Sequence, residues 1–237
     1  MRNLNIIFLH GWLFDSKVWH DIKKFFHKKH SIKIYDLPGY GANKTLSMEH
    51  QKYCDKIFLN ANRPTIVIGF SYGGLLALKS YLSLDSYIEK IFLINTNLNI
   101  KQRSGAILSI ENISKLKNNL LFYKDKTIEN FIYEVTRNSK YLKQELKILN
   151  RIYTDSCWPS NDELIKNLEY MARFEHNIKD TQKDIVLINS ENDIFNDFEY
   201  IKTLSNKHIQ KKIIKDVGHL PFISRNKEIY HLIESLI

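Results

Sequence analysis

A run of five residues, Gly69-Phe70-Ser71-Tyr72-Gly73, constrains this chain more than any other feature. It follows the apolar stretch Thr65-Ile66-Val67-Ile68 and precedes the helix-like stretch Gly74-Leu75-Leu76-Ala77-Leu78. In that setting the pattern G-x-S-x-G predicts a buried strand that turns sharply into a helix. The turn lifts a serine into the open, and the flanking glycines avoid clashes there. Five residues can match by chance, so the strand before and the helix after carry the weight. Ser71 is then the candidate nucleophile, and the plain alternative is a tight turn whose serine only caps the helix.

A serine hydroxyl needs a histidine to take its proton and a carboxylate to hold that imidazole in the right tautomer. In a strand-turn-helix setting of this kind both follow the serine, acid first. Near the C-terminus, Lys211-Lys212-Ile213-Ile214-Lys215 reads as a strand that stops at Asp216-Val217-Gly218-His219, so His219 is the candidate base. The preceding strand, Asp184-Ile185-Val186-Leu187-Ile188, runs into Asn189-Ser190-Glu191-Asn192-Asp193-Ile194-Phe195, where Asp193 fits best as the acid. Glu191 and Asp197 are rivals by position, while Asp216 is too close to His219 along the backbone to orient it easily. The loop after residues 91–94, Asn95-Thr96-Asn97, offers no carboxylate.

The oxyanion of an acyl-transfer intermediate needs two backbone N–H donors. The residue after the nucleophile, Tyr72, supplies one, and the loop after the first strand, His10-Gly11-Trp12, supplies the other through Trp12. His10, directly after that strand, reads as a loop brace and not as a base.

With these residues in place the chain resembles an α/β-hydrolase over nearly its whole length. Three stretches narrow the resemblance: His10-Gly11-Trp12 with Trp19 beyond it, Tyr35-Asp36-Leu37-Pro38-Gly39-Tyr40-Gly41, and Gly218-His219-Leu220-Pro221-Phe222-Ile223-Ser224. Together they are similar to the pimeloyl-[acyl-carrier protein] methyl ester esterases of bacterial biotin synthesis. The resemblance implies a triad of Ser71, Asp193 and His219, an oxyanion hole of Trp12 and Tyr72, and cleavage of a methyl ester from an acyl chain carried on acyl carrier protein. Three departures stand out. The acid loop lacks the family's usual glycine before and proline after Asp193, Tyr72 replaces a common leucine, and, with the first parallel strand expected from Asn5, the family's usual N-terminal hairpin is not expected.

The 237 residues suit one core with an insertion. Strand-length apolar runs at 5–9, 32–35, 65–69, 91–94, 184–188 and 211–214 alternate mostly with helical segments, predicting a mostly parallel sheet of about six strands with helices on both faces. Helical apolar faces are expected over 18–24, 75–82 and 229–237. The interval between the fourth and fifth strands is too long for one crossover helix. Apolar spacing there predicts helices over 107–121, 128–135, 141–153 and 162–174, the last with a capping box at Ser160-Asn161-Asp162-Glu163. The expected organisation is a first core part over 1–97, a helical lid over 98–183 and a second core part over 184–237, with the lid shaping substrate choice.

Lysine and arginine outnumber aspartate and glutamate 35 to 26, a formal charge of +9 that favours acidic partners. No nucleic-acid module is recognisable, so no nucleic-acid partner is expected. No metal is expected, since His27-Lys28-Lys29-His30 reads as a solvated helix end and no H-E-x-x-H or paired C-x-x-C occurs. Cys54 and Cys157 read as structural thiols. No run reaches the roughly 20 apolar residues of a membrane span, and no leader is evident, so a cytoplasmic monomer without membrane contact is expected.

Residues 101–151 hold eleven basic and five acidic side chains, and residues 152–177 hold two and five. The basic half would dock an acidic carrier through Arg137, Lys140, Lys143, Lys147 and Arg151, unless it is only a solvated helix face. Trp12, Phe14, Tyr72, Trp158 and Phe222 are candidates to line an aliphatic pocket, or plain core, and Phe70 is expected to face the core. The activity expected is that of a cofactor-free serine carboxylesterase. A general short-chain esterase, a thioesterase, a carbon–carbon bond hydrolase and a non-catalytic receptor on the same fold stay open.

Overall fold

Six apolar runs pair into a single all-parallel sheet of order β2-β1-β3-β4-β5-β6 in the computed structural model, which describes residues 3–46, 48–100, 109–153 and 158–237. In chain order the elements are β1 (Asn5–Leu9), a 3-10 turn (Ser16–Trp19), α1 (Lys23–Phe26), β2 (Ser31–Tyr35), α2 (His50–Leu59), β3 (Thr65–Phe70), α3 (Tyr72–Ser83) and β4 (Ile88–Ile94). An insertion of α4 (Ile110–Phe122), α5 (Lys124–Thr136), α6 (Leu142–Tyr153) and α7 (Asn161–Arg173) follows. The chain then returns through β5 (Asp184–Ser190), α8 (Phe198–Thr203), β6 (Ile209–Ile214), α9 (Pro221–Ser224) and α10 (Asn226–Glu234).

Central strands of a covered parallel sheet are buried on both faces and read as unbroken apolar runs. β1 and β3 are buried at every position, whereas the edge strand β2 is buried at none. The order reverses between β1 and β3, and a crevice at the carboxyl ends of the strands opens where such reversals occur.

All six expected strands are present, several longer than their apolar runs because polar ends still join the ladder. β4 begins at Ile88 and pairs with β3 across a register shift at Thr65/Ile66. The single helix expected over 18–24 is instead a 3-10 turn and the short α1, broken so that Trp19, Ile22 and Phe26 all reach the core. Neither α2 nor α8 was legible. In α2 the charged side chains of Lys52, Asp55 and Lys56 interrupt the apolar pattern, and only His50, Cys54, Ile57 and Phe58 are buried. Cys54 is fully buried, which pushes its thiol up to about 12. Cys157, Lys101, Arg103 and residues 107–108 of the first expected insertion helix lie outside the described residues. No helix among the described residues is long and apolar enough to cross a membrane, and no group of three His, Cys, Asp or Glu side chains among them is placed to hold a metal ion.

The expected capping box on α7 is half made. Ser160 Oγ accepts the Glu163 N–H at 3.2 Å, but the Glu163 carboxylate turns away and meets His50 Nε2 at 2.9 Å. Burial works against ionisation of Glu163, yet the hydrogen bond and charge of His50, with Lys166, hold it below its ordinary value. This pair ties the insertion to α2.

α3 leaves the sheet at very short range. A Cβ on Gly69 would stand 2.7 Å from Gly74 Cα, and one on Gly73 would overlap the His10 carbonyl oxygen and lie 2.8 Å from that of Leu9. These obstacles are backbone and cannot turn aside. Gly73→Ala should therefore lower the unfolding free energy by about 1–3 kcal/mol or more in urea titrations, and a change within experimental error would contradict the packing described. The Glu163 contribution should be present above its ordinary value near 4.5 and lost as pH falls through its lower folded-state value. The stability gap between the wild type and Glu163→Gln should accordingly be full above about pH 4.5 and shrink as the pH falls below it, and a constant gap would mean the carboxylate is not held by His50.

Candidate active site

The serine follows β3 in a backbone conformation that side chains rarely adopt. Ser71 has φ 49° and ψ −117°, and its N–H is fixed to the Ile94 carbonyl at the end of β4, at 2.9 Å. Such conformations cost about 1–3 kcal/mol and persist only where neighbours enforce them. The enforcing contacts are the backbone approaches at Gly69 and Gly73 and the crowding at Gly11, where a Cβ would meet the Phe70 ring at 2.8 Å and Ser71 Cβ at 3.3 Å. Ser71 makes no side-chain cap on α3, which excludes the capping role, and it is half-buried.

At the ends of β5 and β6 an acid and an imidazole meet. His219 Nδ1 lies 2.9 Å from Asp193 Oδ2, both residues are almost wholly buried, and Asp193 Oδ1 accepts the Phe195 N–H at 3.0 Å. With Nδ1 donating to the carboxylate, Nε2 is left as the acceptor. The rivals are otherwise engaged: Glu191 is exposed, Asp197 caps α8 and accepts from Asn99 Nδ2, and Asp216 is exposed at φ 63° beside Lys140.

The His219 ring is wedged between the Phe70 ring at 4.9 Å and the Phe195 ring at 4.7 Å. Phe70 is core, as expected, but it also forms one wall of the imidazole slot and is followed directly by Ser71. Among the described residues no hydrogen bond joins Ser71 Oγ to His219, whose Nδ1 is engaged by Asp193.

Asn95, set aside because it offers no carboxylate, organises the site through its amide. At φ 45° it donates from Nδ2 to the His219 carbonyl at 2.9 Å and to Ser190 Oγ at 2.8 Å, and its Oδ1 accepts the Ser190 N–H at 2.7 Å. One buried amide thus joins the ends of β4 and β5 to the His219 backbone. The sequence signal was an asparagine directly after a strand, a residue type that tolerates positive φ.

After β1, His10 braces the loop as expected. Its Nδ1 meets the Gly11 carbonyl at 2.9 Å, its Nε2 accepts the Leu37 N–H at 3.0 Å, and burial lowers its pKa. The N–H groups of Trp12 and Tyr72 are not donors in the backbone bonds of turns and loops among the described residues, and Tyr72 opens α3, where intrahelical acceptors are lacking. The Trp12 side chain belongs to the insertion: its Nε1 donates to the Leu164 carbonyl of α7 at 3.0 Å, and its ring packs edge-on against Phe131 of α5 at 4.7 Å.

The aromatics singled out as pocket-lining are mostly packed. Phe14 lies against Phe70 and Tyr153, Phe222 against Trp19 and Phe70, and Trp158 stacks on Tyr153 at 5.1 Å. Tyr72 sends its hydroxyl to Asn167 Oδ1 at 3.0 Å and lies 3.1 Å from His50 Nδ1, inside a buried polar group that also holds Tyr40. A cleft of about 230 Å³ opens elsewhere, between α4 and α5, with Phe131, Phe195 and Leu116 on its walls and Asn112, Asn119 and Asn130 around them. Of the basic side chains proposed to dock a carrier, Arg137 pairs with Glu134, Lys140 faces Asp216 at 3.8 Å and Arg151 reaches Asp21, while Lys143 and Lys147 are exposed on α6.

Comparison with known proteins agrees with this geometry. Residues 6–232 match the model of the "Alpha/beta hydrolase family". The pimeloyl-[acyl-carrier protein] methyl ester esterase of Salmonella heidelberg is 22% identical over 228 residues, covering 94% of this chain and 89% of its own. Among solved structures, an esterase from Exiguobacterium antarcticum superposes with a TM-score of 0.81 at 16% identity, covering 99% of this chain and 91% of that one. A bromoperoxidase from Bacillus anthracis gives 0.79 at 14% identity, covering 98% and 91%. With its parallel sheet, its strained serine after β3 and its acid–imidazole pair at the neighbouring strand ends, the chain belongs to the alpha/beta hydrolase family.

Proposed function

We propose that this protein is a serine carboxylesterase in which Ser71, His219 and Asp193 act as a triad. Ser71 Oγ attacks the ester carbonyl, His219 Nε2 takes its proton and returns it to the departing alcohol, and Asp193 holds the imidazole and stabilises its cation. The amides of Trp12 and Tyr72 receive the oxyanion. Water, deprotonated by the same imidazole, then releases the acyl group from Ser71. The observation that carries this reading is the buried contact of His219 Nδ1 with Asp193 Oδ2 beside the strained Ser71 turn. Structural strain at a turn and an oriented imidazole are each costly, and together they fit nucleophilic catalysis.

The natural substrate we propose is a methyl ester of a pimeloyl chain on acyl carrier protein, the substrate named in the curated relatives. Helices α4 to α7 would act as the lid. The α4–α5 cleft supports an acyl route, because its inner walls Phe131 and Phe195 touch the Trp12 and His219 rings respectively. On α6, Lys143, Lys147 and Arg151 recur every four residues and so form one basic stripe, suited to steering an acidic carrier. A short-chain esterase is the second reading. It is favoured by Tyr72, a larger side chain than the leucine common in those esterases, whose hydroxyl donates to Asn167 and lies beside His50.

Hydrolysis of p-nitrophenyl acetate should be lost in Ser71→Ala and should fall by about 10³–10⁴ in kcat in Asp193→Asn, with KM little changed. Turnover that persists in Ser71→Ala would remove this serine from the chemistry. The substrate is tested by rescue of a biotin auxotroph lacking its methyl ester esterase, together with turnover of purified pimeloyl-carrier methyl ester; failure of both while small esters are cleaved would leave the short-chain reading. Reversing charge at Lys140, Lys143 and Lys147 should reduce kcat/KM on the carrier-bound ester by about tenfold at low salt and leave small esters unaffected. Equal loss on both would mean that these lysines support the insertion and do not dock the carrier.

A further inference from the structure

Glu145 sits in the middle of α6 with no solvent contact at all, in a helix whose other buried positions are Leu149 and Tyr153. Among the described residues no cation pairs with it. Its Oε1 accepts two hydroxyl protons, from Ser139 at 2.8 Å and from Ser224 at 2.5 Å, and its Oε2 has no hydrogen-bond partner among the described residues. Burial pushes the carboxyl above its ordinary value, and the two serine bonds offset this only in part. A buried polar atom left unpaired costs about 1–3 kcal/mol, so an apolar residue at this place would serve the helix better. The position is therefore difficult to explain by stability alone.

The two serines show what the carboxyl joins. Ser139 lies in the turn between α5 and α6, and that turn runs beside the loop that carries His219. The Val135 carbonyl accepts the His219 N–H at 3.2 Å, and the Asp216 carbonyl accepts the Lys140 N–H at 3.0 Å. Gly218 is in contact with the turn, since a Cβ there would stand 3.3 Å from the Val135 oxygen and 3.6 Å from Ser139 Cβ. Ser224 closes α9, the short helix that follows His219 directly. One carboxyl oxygen thus ties the segment in front of the imidazole to the segment behind it. Arg225 and Tyr141 repeat the link more weakly, the guanidinium lying 5.7 Å from the ring.

We propose that Glu145 is a positioning residue: through Ser139 and Ser224 it clamps the α5–α6 turn against the His219 loop and so fixes the height of the imidazole above Ser71. This rests on the triad reading for its catalytic consequence, but the clamp itself is a mechanical claim that stands apart from it. It also makes the insertion part of the base's support and not only a cover. Asp193 and Asn95 hold the imidazole and its carbonyl from the sheet side, and the clamp holds its N–H side from the insertion.

The test compares wild type with Glu145→Leu, which fills the space and removes both bonds, and Glu145→Gln, which keeps an oxygen for both serines. Amide hydrogen exchange of the Lys140 and His219 N–H groups is read first, with Tm and ester kinetics alongside. Expected for Glu145→Leu are exchange about tenfold faster at those two amides, a Tm within a few degrees of wild type, and kcat lower by about tenfold to a hundredfold at unchanged KM. Glu145→Gln should restore both exchange and kcat. Unchanged exchange in Glu145→Leu overturns the clamp, as does faster exchange spread over the whole chain with a collapse of Tm, which marks a purely structural residue. Local exchange with undiminished kcat overturns the positioning role. If no protein hydrolyses esters but the local exchange pattern holds, the clamp stands and the esterase reading falls.

Discussion

One register across six parallel strands decides where everything else in this protein can be. Leu9 lies opposite Gly69, Gly69 opposite Leu93, and Leu93 opposite Leu187, so β1, β3, β4 and β5 all end at one edge within a few residues of each other. Trp12, Ser71, Asp193 and His219, the side chains of the proposed site, are far apart along the chain, yet each stands in the first few residues after a strand. The sheet supplies their proximity at no cost in loop order beyond short turns, and burial of β1 and β3 on both faces fixes the register against slippage. A shift by one residue would turn Ile68 and Phe8 away from their present neighbours and carry Ser71 out of line with the ends of β1 and β5.

Within that frame the site is held from two directions. From the sheet, Asn95 joins the ends of β4 and β5 to the His219 carbonyl while Asp193 receives the imidazole. From the insertion, α5 and its following turn meet the His219 loop by backbone bonds, and α7 receives the Trp12 side chain and the Glu163–His50 pair. Buried polar groups are costly unless paired, and Asn95, His50, Glu163 and His219 each find partners on elements far apart in sequence. The insertion is consequently braced against the sheet at the residues after β1, at α2 and at the loop after β6.

What could be read from the sequence follows the range of the forces involved. The strands were legible because continuous apolar runs need only local pattern, and Ser71 because its turn demands small residues at Gly69 and Gly73 in fixed places. The places of Asp193 and His219 in the loops after β5 and β6 were legible because the apolar runs before them are local patterns. Less local features were not. Tyr72 read as a pocket residue and does border a cleft with Leu46, His50 and Tyr170, but nothing local announced that its hydroxyl would meet His50 and Asn167, partners 22 and 95 residues away. Phe14 and Phe222 read as candidates for a pocket or the core, and packing against Phe70 placed them in the core. Glu163 read as half of a capping box, until His50 offered a closer charge partner. α2 was missed since its apolar stripe is narrow and its charged side chains break the pattern. Glu145 gave no sign in a lysine-rich amphipathic helix, where a glutamate ordinarily marks the solvent side.

In the proposed triad the hydroxyl of Ser71 is an activated nucleophile. Treating the full chain with a fluorophosphonate and mapping peptides by mass spectrometry measures that property without any assumption about substrate. The expected result is a single stoichiometric adduct on Ser71, lost when His219 is replaced by alanine. An unmodified Ser71 under conditions that label a known serine esterase, or an adduct on another residue that survives that replacement, would contradict it.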